Sequence, residues 1–205
     1  MNSANTDQQI AIFFDQCAEQ RLMTEFPPEE RVKLEQFFSL WEIQPGHRVL
    51  EPGCGSGRLT AELAQAVGAQ GEVYACDLSP GMLRIAQERQ LPDCVHWAQT
   101  SALNIRRPDD WFDRVLCFCV FPHFMEPERV LQEFARVLKP DGRLWVNHFE
   151  GRESLNSFHR NAAPEVARHA LPDADGMREL MEKAGFRVEQ LIDCDDRYIL
   201  GAVLE

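Results

Sequence analysis

Short apolar runs alternate along this sequence with longer stretches that have helical spacing. The apolar runs of strand length lie at 48–51, 72–76, 95–98, 111–120 and 142–149. Between them, apolar residues recur every three or four positions, as in 58–67 and 128–138, which predicts amphipathic helices. Strands that alternate with helices are typical of an α/β fold with a parallel sheet. The long run at 111–120 predicts a central strand that is buried on both faces.

The stretch from Val49 to Leu59 joins the first strand to a helix through three alternate glycines, Gly53, Gly55 and Gly57. Alternate glycines permit left-handed turns and leave no side chain between the backbone and a ligand. The free amides at the start of the next helix face the same opening. This arrangement predicts a nucleotide-sized pocket at the end of a parallel strand.

Two acidic residues narrow the choice of nucleotide. The glycine spacing is G-x-G-x-G, whereas the dinucleotide fingerprint is G-x-G-x-x-G. Glu51 precedes the first glycine by two positions, where it would repel a pyrophosphate but would suit an ammonium or sulfonium group. Asp77 ends the second strand, and an acid about 20 residues beyond such glycines can accept hydrogen bonds from ribose hydroxyls. A nicotinamide-dependent oxidoreductase is therefore the disfavoured alternative.

At these residues the sequence resembles the class I S-adenosylmethionine-dependent methyltransferases. Four motifs lie in the order typical of that family, at 49–57, 73–77, 112–116 and 138–144. The resemblance implies an α/β, Rossmann-like three-layer sandwich with a seven-stranded, mostly parallel sheet whose last strand is antiparallel. It also implies S-adenosylmethionine as the methyl donor, S-adenosylhomocysteine as the product, and a small-molecule methyl acceptor.

The same resemblance assigns the cofactor contacts. They are Glu51, Gly53, Cys54, Gly55, Asp77, Leu78, Met82, Ser101, Ala102 and Cys117. Glu51 and the glycines would hold the methionyl end, and Asp77 would hold the ribose. Leu78 and Met82 would line the adenine slot, with simple core packing as the alternative.

The adenine end departs from the family pattern. Members of the family often carry an aspartate after the third strand, where it accepts a hydrogen bond from the adenine amino group. This sequence has Thr100, Ser101 and Ala102 at that point. We expect Ser101 or Thr100 to make a weaker contact, or the backbone of Ala102 to make one alone.

One domain is predicted for the whole chain. Its parts are a helical or lid segment at 1–45, a cofactor-binding core at 46–149, an irregular insert at 150–174, and a closing helix with two strands at 175–205. Residues 1–12 are polar and are expected to be frayed or loosely docked. Phe13 and Phe14 resemble the segment that covers the methyl donor in many family members. The alternative is a helix that packs both rings on the flank of the sheet.

Histidines are the candidates for catalysis, although methyl transfer from a sulfonium depends mainly on positioning. A base is required only when the acceptor must lose a proton. His123 follows the fourth strand at the expected mouth of the pocket, and the alternative is a capping or packing role. His159 would reach the substrate if the insert folds over the site, and otherwise lies on a solvated helix face. His148, near the end of the fifth strand, is a weaker candidate.

Two arginines bear on the charge of the substrate. Arg152 and Arg160 belong to the insert. If they faced the pocket, they would favour an acceptor that carries a carboxylate or phosphate group.

Charge and cysteine content limit the partners and the compartment. The net charge of −12 disfavours nucleic acid and anionic membranes as partners. Seven cysteines without a Cys-x-x-Cys pair fit reduced thiols. The segment 1–5 lacks the pattern of a signal peptide, and no apolar run approaches the roughly 20 residues that span a bilayer. A cytoplasmic protein is expected.

Two further interpretations stay open. Cys117 and Cys119 alternate on the predicted fourth strand and so share a face, which fits apolar packing or a metal or arsenic site. Arsenite methyltransferases carry a thiol at a position similar to Cys119, but their other metalloid-binding thiols have no evident counterparts here. We expect no resident metal. A module that binds S-adenosylmethionine or S-adenosylhomocysteine without turnover is the other alternative.

Overall fold

In the computed structural model, which describes residues 3–205, a seven-stranded sheet is flanked by helices on both faces. The strands are β1 Arg48–Pro52, β2 Glu72–Asp77, β3 Val95–Gln99, β4 Phe112–Phe118, β5 Leu138–His148, β6 Phe186–Cys194 and β7 Arg197–Leu204. The α-helices are α1 Ser3–Glu19, α2 Pro28–Trp41, α3 Arg58–Val67, α4 Pro80–Glu88, α5 Pro127–Val137, α6 Arg152–Asn161 and α7 Ala174–Lys183. A short 3-10 helix, Phe121–His123, follows β4.

The strand order is β3-β2-β1-β4-β5-β7-β6. Strands β1 to β5 pair in parallel, and β7 is antiparallel to both β5 and β6. The predicted fold, with its antiparallel last strand, is confirmed. The order of strands reverses between β1 and β4, and open α/β sheets bind ligands at such a reversal, beyond the carboxyl ends of the strands.

Each face of the sheet carries its own apolar core. On one face, Phe37 of α2 and Leu63 of α3 are fully buried with residues of β1 and β2. On the other face, Phe134 of α5 and Met177 of α7 are fully buried with residues of β4 and β5. The predicted three-layer arrangement is therefore present. Because helices cover both faces of the sheet, the central strands are buried on both sides and appear in the sequence as continuous apolar runs.

The N-terminal segment differs from its prediction. Residues 1–12 were expected to be frayed or loosely docked, but α1 is helical from Ser3, and Met1 and Asn2 lie outside the described residues. Ile10 is buried, and Cys17 is buried against α4. These two side chains lie seven positions apart, about two turns of one helix face, so α1 is held by packing rather than by its polar sequence.

The predicted irregular insert, 150–174, is partly helical. It contains α6, whose buried side chains include Leu155 and His159, followed by an irregular segment at 162–173. Helix α7 then begins at Ala174, one residue before the predicted closing segment at 175–205. Asp173 explains the earlier start, because its side chain accepts a hydrogen bond from the Gly176 amide at 2.9 Å and caps the helix.

The helices described here lie within residues 3–205. None of them combines the length and the apolar character that crossing a bilayer requires.

Candidate functional site

A cavity of roughly 1100 Å³, including its open mouth, lies at the carboxyl ends of β1, β2 and β4. The glycine loop and the end of β2 form one side of it, and residues that follow β3 and β4 form the other. Helix α1 contributes Asp7, Ile10 and Phe14 as a cover. The predicted cofactor contacts that line this cavity are Glu51, Gly53, Cys54, Gly55, Asp77, Leu78, Met82, Ser101 and Ala102.

The glycine loop is shaped by backbone that only glycine adopts without strain. Gly53 has φ +69°, and a Cβ there would lie 2.3 Å from Val120 Cγ2. Gly55 has φ +54°, and a Cβ there would meet no atom within 4 Å. Because Gly55 lines the cavity, any side chain at this position would occupy ligand space. The loop therefore forms a cradle into which a ligand fits closely.

Asp77 holds the loop and also faces the cavity. Its Oδ2 accepts a hydrogen bond from the Gly55 amide at 2.8 Å, and its Oδ1 accepts one from the Ser79 amide at 2.8 Å. Burial raises the pKa of Asp77 despite these hydrogen bonds. Each carboxylate oxygen keeps a second acceptor position, so the side chain can still receive hydroxyl donors from a ligand.

Glu51 is buried at the base of the cavity, with 3% of its surface exposed. Burial raises its pKa to about 8, and the negative charge of Asp77 adds to the rise. Thr60 Oγ1 donates a hydrogen bond to Glu51 Oε2 at 2.6 Å, which opposes the rise. Thr60 was not singled out from the sequence. A buried acid with this pKa is matched to a cationic ligand group, which would favour its ionised form.

Asp7 was missed by sequence reasoning and lies at the adenine end of the predicted site. It lines the cavity together with Ser101. Burial raises the pKa of Asp7, the side chain of Ser101 opposes the rise, and Glu126 adds to it. No local motif signals this residue, because its position depends on how α1 docks across the sheet.

Phe14 and Phe13 have different surroundings. Phe14 lines the cavity, and its ring meets the His123 ring edge-on with centroids 5.2 Å apart. Phe13 packs against the α1–α4 cluster that contains Cys17 and Met82, outside the cavity lining. The roof role predicted for both residues therefore fits Phe14 alone.

The candidate base His123 lines the cavity from the 3-10 helix that follows β4. Its Nδ1 lies 2.8 Å from Nδ1 of His169, a residue that sequence reasoning did not single out. Burial lowers the pKa of His123 well below its usual value, and the neighbouring His169, His159 and His148 lower it further. His123 is therefore a neutral imidazole at neutral pH.

His159 and His148 are not part of the cavity lining. His159 is buried on α6 and donates its Nδ1 hydrogen to the His169 carbonyl at 2.8 Å. His148 is 2% exposed at the end of β5. His159 therefore neither lines the cavity, as a substrate contact would, nor lies on a solvated helix face, which was the alternative.

Cys117 of β4 and Cys119, the residue that follows β4, lie on opposite faces of the sheet, contrary to the predicted alternation. Cys117 is fully buried in the core on the α5 face, so its assignment to the cofactor is corrected. Cys119 lines the cavity. It has φ +53°, and this left-handed residue ends the strand and turns the chain toward the opposite face. Burial raises the pKa of Cys119 to about 12, so its thiol stays protonated.

Within residues 3–205, no group of three or more His, Cys, Asp or Glu side chains is arranged to hold a metal ion.

The arginines of the insert lie away from the cavity. Arg152 pairs with Asp193 at 3.4 Å, and Arg160 lines a separate surface depression on α6. Arg58 does line the cavity, but it pairs with Glu30 at 2.8 Å. The conditional case for a carboxylate or phosphate on the acceptor therefore loses its basis.

A doubly wound sheet with a glycine loop and strand-end acids defines a nucleotide-binding α/β domain. A model of the methyltransferase domain matches residues 50–146. The ubiquinone/menaquinone biosynthesis C-methyltransferase UbiE of Vibrio campbellii is 31% identical over 158 residues, which cover 72% of this chain and 61% of that protein. The methyltransferase GfsG of Streptomyces halstedii is 31% identical over 172 residues, covering 80% of this chain and 61% of that protein.

A solved structure agrees with the fold. The crystal structure of a SAM-dependent methyltransferase from Aquifex aeolicus superposes with a TM-score of 0.69 at 23% identity, covering 88% of this chain and all of that one. The matched methyltransferase domain and the shared fold support membership of the class I S-adenosylmethionine-dependent methyltransferase family. They likewise support S-adenosylmethionine as the cofactor. The chain spans about three fifths of the length of the curated relatives that it matches.

Proposed function

We propose that this chain transfers the methyl group of S-adenosylmethionine to a small apolar acceptor held in the cavity beneath α1. The observation that carries the proposal is the convergence of Glu51, Gly55, Asp77 and His123 on one cavity. Nucleotide-binding groups and a neutral base thus share a space that α1 shields from solvent. When bound, S-adenosylmethionine supplies a methyl group on a positively charged sulfur, which is activated without help from a catalytic side chain.

The residues of the glycine loop fit the methionyl and ribose parts of this cofactor. The open space at Gly55 accommodates a ligand beside the backbone, with Gly53 and Cys54 completing the loop. Glu51 would face the ammonium group, whose positive charge offsets the cost of burying the ionised acid. Asp77, already oriented by two backbone amides, would accept hydrogen bonds from the ribose hydroxyls.

The residues that would contact the adenine ring do not include the aspartate that often follows β3 in this family. Leu78, Met82, Ser101 and Ala102 line this part of the cavity, and the apolar side chains of Leu78, Met82 and Ala102 would cover the faces of the ring. We propose that Asp7 supplies the missing carboxylate and accepts a hydrogen bond from the adenine amino group. Its place in the lining beside Ser101 supports this role. Cofactor binding and closure of α1 would then be coupled.

The acceptor side of the cavity is largely apolar. Ile10, Phe14, Phe124, Met125 and Val130 contribute to its lining. Such a surface suits an acceptor with an apolar body and excludes water from the reacting atoms. His123, neutral at physiological pH, would take the proton that the acceptor releases on methylation. The named activity of the Vibrio relative, C-methylation in quinone biosynthesis, makes phenolic and quinol compounds the first acceptors to test.

The proposed setting is a cytoplasmic enzyme that acts on small molecules and not on nucleic acid. Seven free cysteines, five of them wholly or partly buried along the sheet, support a reducing compartment. The net charge of −12 supports a substrate other than a polyanion.

Calorimetric titration with S-adenosylmethionine and S-adenosylhomocysteine tests the proposal, comparing the wild type with Asp77→Ala. Asp93→Ala, at an exposed position in the loop before β3, is the matched control. We expect both compounds to bind the wild type and the control, and Asp77→Ala to lose at least about 100-fold in affinity, or roughly 3 kcal/mol. Failure of the folded wild type to bind either compound would contradict the proposal.

Turnover is tested separately, by incubation with methyl-labelled S-adenosylmethionine and a panel of phenols, quinols and apolar amines. Label transferred to one of these classes supports an active enzyme. Tight cofactor binding without transfer to any class supports the alternative of a binding module.

A further inference from the structure

We propose that His169 is a positioning residue that fixes the tautomer and orientation of His123, and that α6 exists in part to hold it there. This inference rests on the proposed function, because it concerns the base of that reaction. The juxtaposition that carries it is the 2.8 Å contact between the Nδ1 atoms of the two rings.

The segment that carries His169 is irregular, yet α6 fixes its backbone at two points. The side-chain amide of Asn156 donates to the Leu171 carbonyl at 2.9 Å, and the Leu171 amide donates to Asn156 Oδ1 at 2.8 Å. One turn further along α6, the His159 ring donates to the His169 carbonyl at 2.8 Å. Asn156, His159 and His169 are all buried. Three buried hydrogen bonds thus give an otherwise irregular segment a fixed position.

The hydrogen-bond partners define the protons on these rings. A carbonyl can only accept, so Nδ1 of His159 carries its hydrogen. Between His123 and His169 one Nδ1 donates and the other accepts, since two bare nitrogens or two N–H groups would repel each other. His123 lines the cavity, and its Nδ1 is already engaged, so Nε2 is the nitrogen left for the acceptor molecule.

The productive arrangement has the hydrogen on Nδ1 of His123 and a bare Nδ1 on His169. In that arrangement Nε2 of His123 is bare and can take the proton that leaves the O–H, N–H or C–H group of the acceptor. His123 then becomes an imidazolium whose Nδ1–H still donates to His169. The positive charge is stabilised by that acceptor, because a hydrogen bond to a charged donor is stronger than one to a neutral donor.

The titratable groups around His123 do not stabilise its protonated form by a negative charge. Phe14 of α1 faces one edge of its ring, and the titratable groups around it are His148 of β5, His159 of α6 and His169. All three histidines have lowered pKa values caused by burial. None of these neighbours supplies a negative charge, so the accepting nitrogen of His169 is the feature that favours protonation of His123.

Long-range ¹H–¹⁵N spectra of the full-length ¹⁵N-labelled protein test the inference directly, recorded with and without S-adenosylhomocysteine. In the wild type we expect His123 as the Nδ1–H tautomer and His169 as the Nε2–H tautomer. His169→Leu removes the accepting nitrogen, and the Nδ1–H signal of His123 should be lost or become a minor species. His169→Asn places an amide oxygen near the former Nδ1 and should restore the signal. His96→Leu, at an exposed position of β3, is the control.

Two results would overturn the inference. One is a wild-type His123 that is protonated on Nε2, which requires no variant to observe. The other is a His123 signal that is the same in His169→Leu as in the wild type. Neither result depends on cofactor affinity, which calorimetry with S-adenosylhomocysteine measures independently in the same samples. A wild type that does not bind S-adenosylhomocysteine would instead count against the proposed function.

Discussion

Asp15 Oδ1 accepts a hydrogen bond from the Ser79 hydroxyl, with 2.6 Å between the two oxygens. The same carboxylate oxygen accepts from the Gly81 amide at 2.8 Å. Ser79 in turn accepts from the Met82 amide and caps α4. These hydrogen bonds connect the N-terminal helix to the segment that follows Asp77. This carboxylate adds hydrogen bonds to the apolar packing of α1 on α4 and links the cover of the cavity to the segment that begins α4.

Replacement of this carboxylate should loosen the cover of the cavity. We expect Asp15→Ala to weaken S-adenosylhomocysteine binding about tenfold, since hydrogen bonds to a charged group contribute about 1.5–3 kcal/mol and only part of that is realised in closure. The dissociation rate of the ligand, followed by stopped-flow fluorescence, should rise by a similar factor. Glu19→Ala, exposed on the same helix, is the control. An unchanged dissociation rate in Asp15→Ala would show that α1 does not retain the ligand.

The parts of the site that were predicted are those encoded locally. The α/β pattern gives the order of the strands, and the strand ends carry Gly53, Gly55 and Asp77. The sequence alone therefore predicts that these residues lie close together. Asp7 and His169 could not be expected in the same way. Their positions depend on how α1 and the segment after α6 dock on the sheet, and docking is determined by long-range packing that short motifs do not record.

The prediction that Cys117 and Cys119 share a face failed for a local reason. Strict alternation along β4 places Cys117 and Cys119 on one face, and it would hold if the strand continued. The left-handed backbone at Cys119 interrupts it. A non-glycine residue in that conformation has no dependable sequence signal, so the two thiols could not be separated from the pattern alone.

Cofactor binding should release a proton from Glu51. With a pKa of about 8, this buried acid is largely protonated near pH 7, whereas a bound ammonium group favours its ionised form. We expect the release of most of one proton per S-adenosylhomocysteine bound near pH 7, with a smaller release as the pH rises through 8. Calorimetry in two buffers of different ionisation enthalpy measures this release.

Glu51→Gln is the matched variant for that measurement. Its amide oxygen can still accept from Thr60, which donates to the carboxylate in the wild type. The variant should bind more weakly and should lose most of the proton release. A binding enthalpy of the wild type that is the same in both buffers would show that Glu51 does not change its protonation with the ligand.

Asp7 should determine selectivity for the adenine amino group. S-inosylhomocysteine carries a carbonyl oxygen at that position, which would face the carboxylate without a hydrogen to donate. We expect the wild type to prefer S-adenosylhomocysteine by about tenfold or more, and Asp7→Ala to lose most of this preference. Competition binding with the two compounds measures the ratio. Gln8→Ala, at the exposed neighbouring position, should keep the wild-type ratio, and a normal ratio in Asp7→Ala would assign the contact to another group.

His148 should make the protein less stable in acid. Its Nε2 is buried without a hydrogen-bond partner among the described residues, and burial lowers its pKa from 6.5 to about 3. The unfolded chain therefore binds a proton at this residue below pH 6.5 that the folded chain does not bind until about pH 3. Stability is then lost as the pH falls through this window, by about 2 kcal/mol near pH 5 for His148 alone.

Urea unfolding of the wild type and His148→Leu, near pH 7 and near pH 5, measures this contribution. The variant cannot take up the proton, so its free energy of unfolding should fall between the two pH values by about 2 kcal/mol less than that of the wild type. The pKa values of His123, His159 and His169 stay lowered in the variant. The free energy of unfolding of the variant should therefore still fall in acid, but by less than that of the wild type. His96→Leu should retain the full wild-type dependence, because that side chain is exposed. Equal pH dependence in His148→Leu and the wild type would mean that His148 gains a proton partner in the folded state.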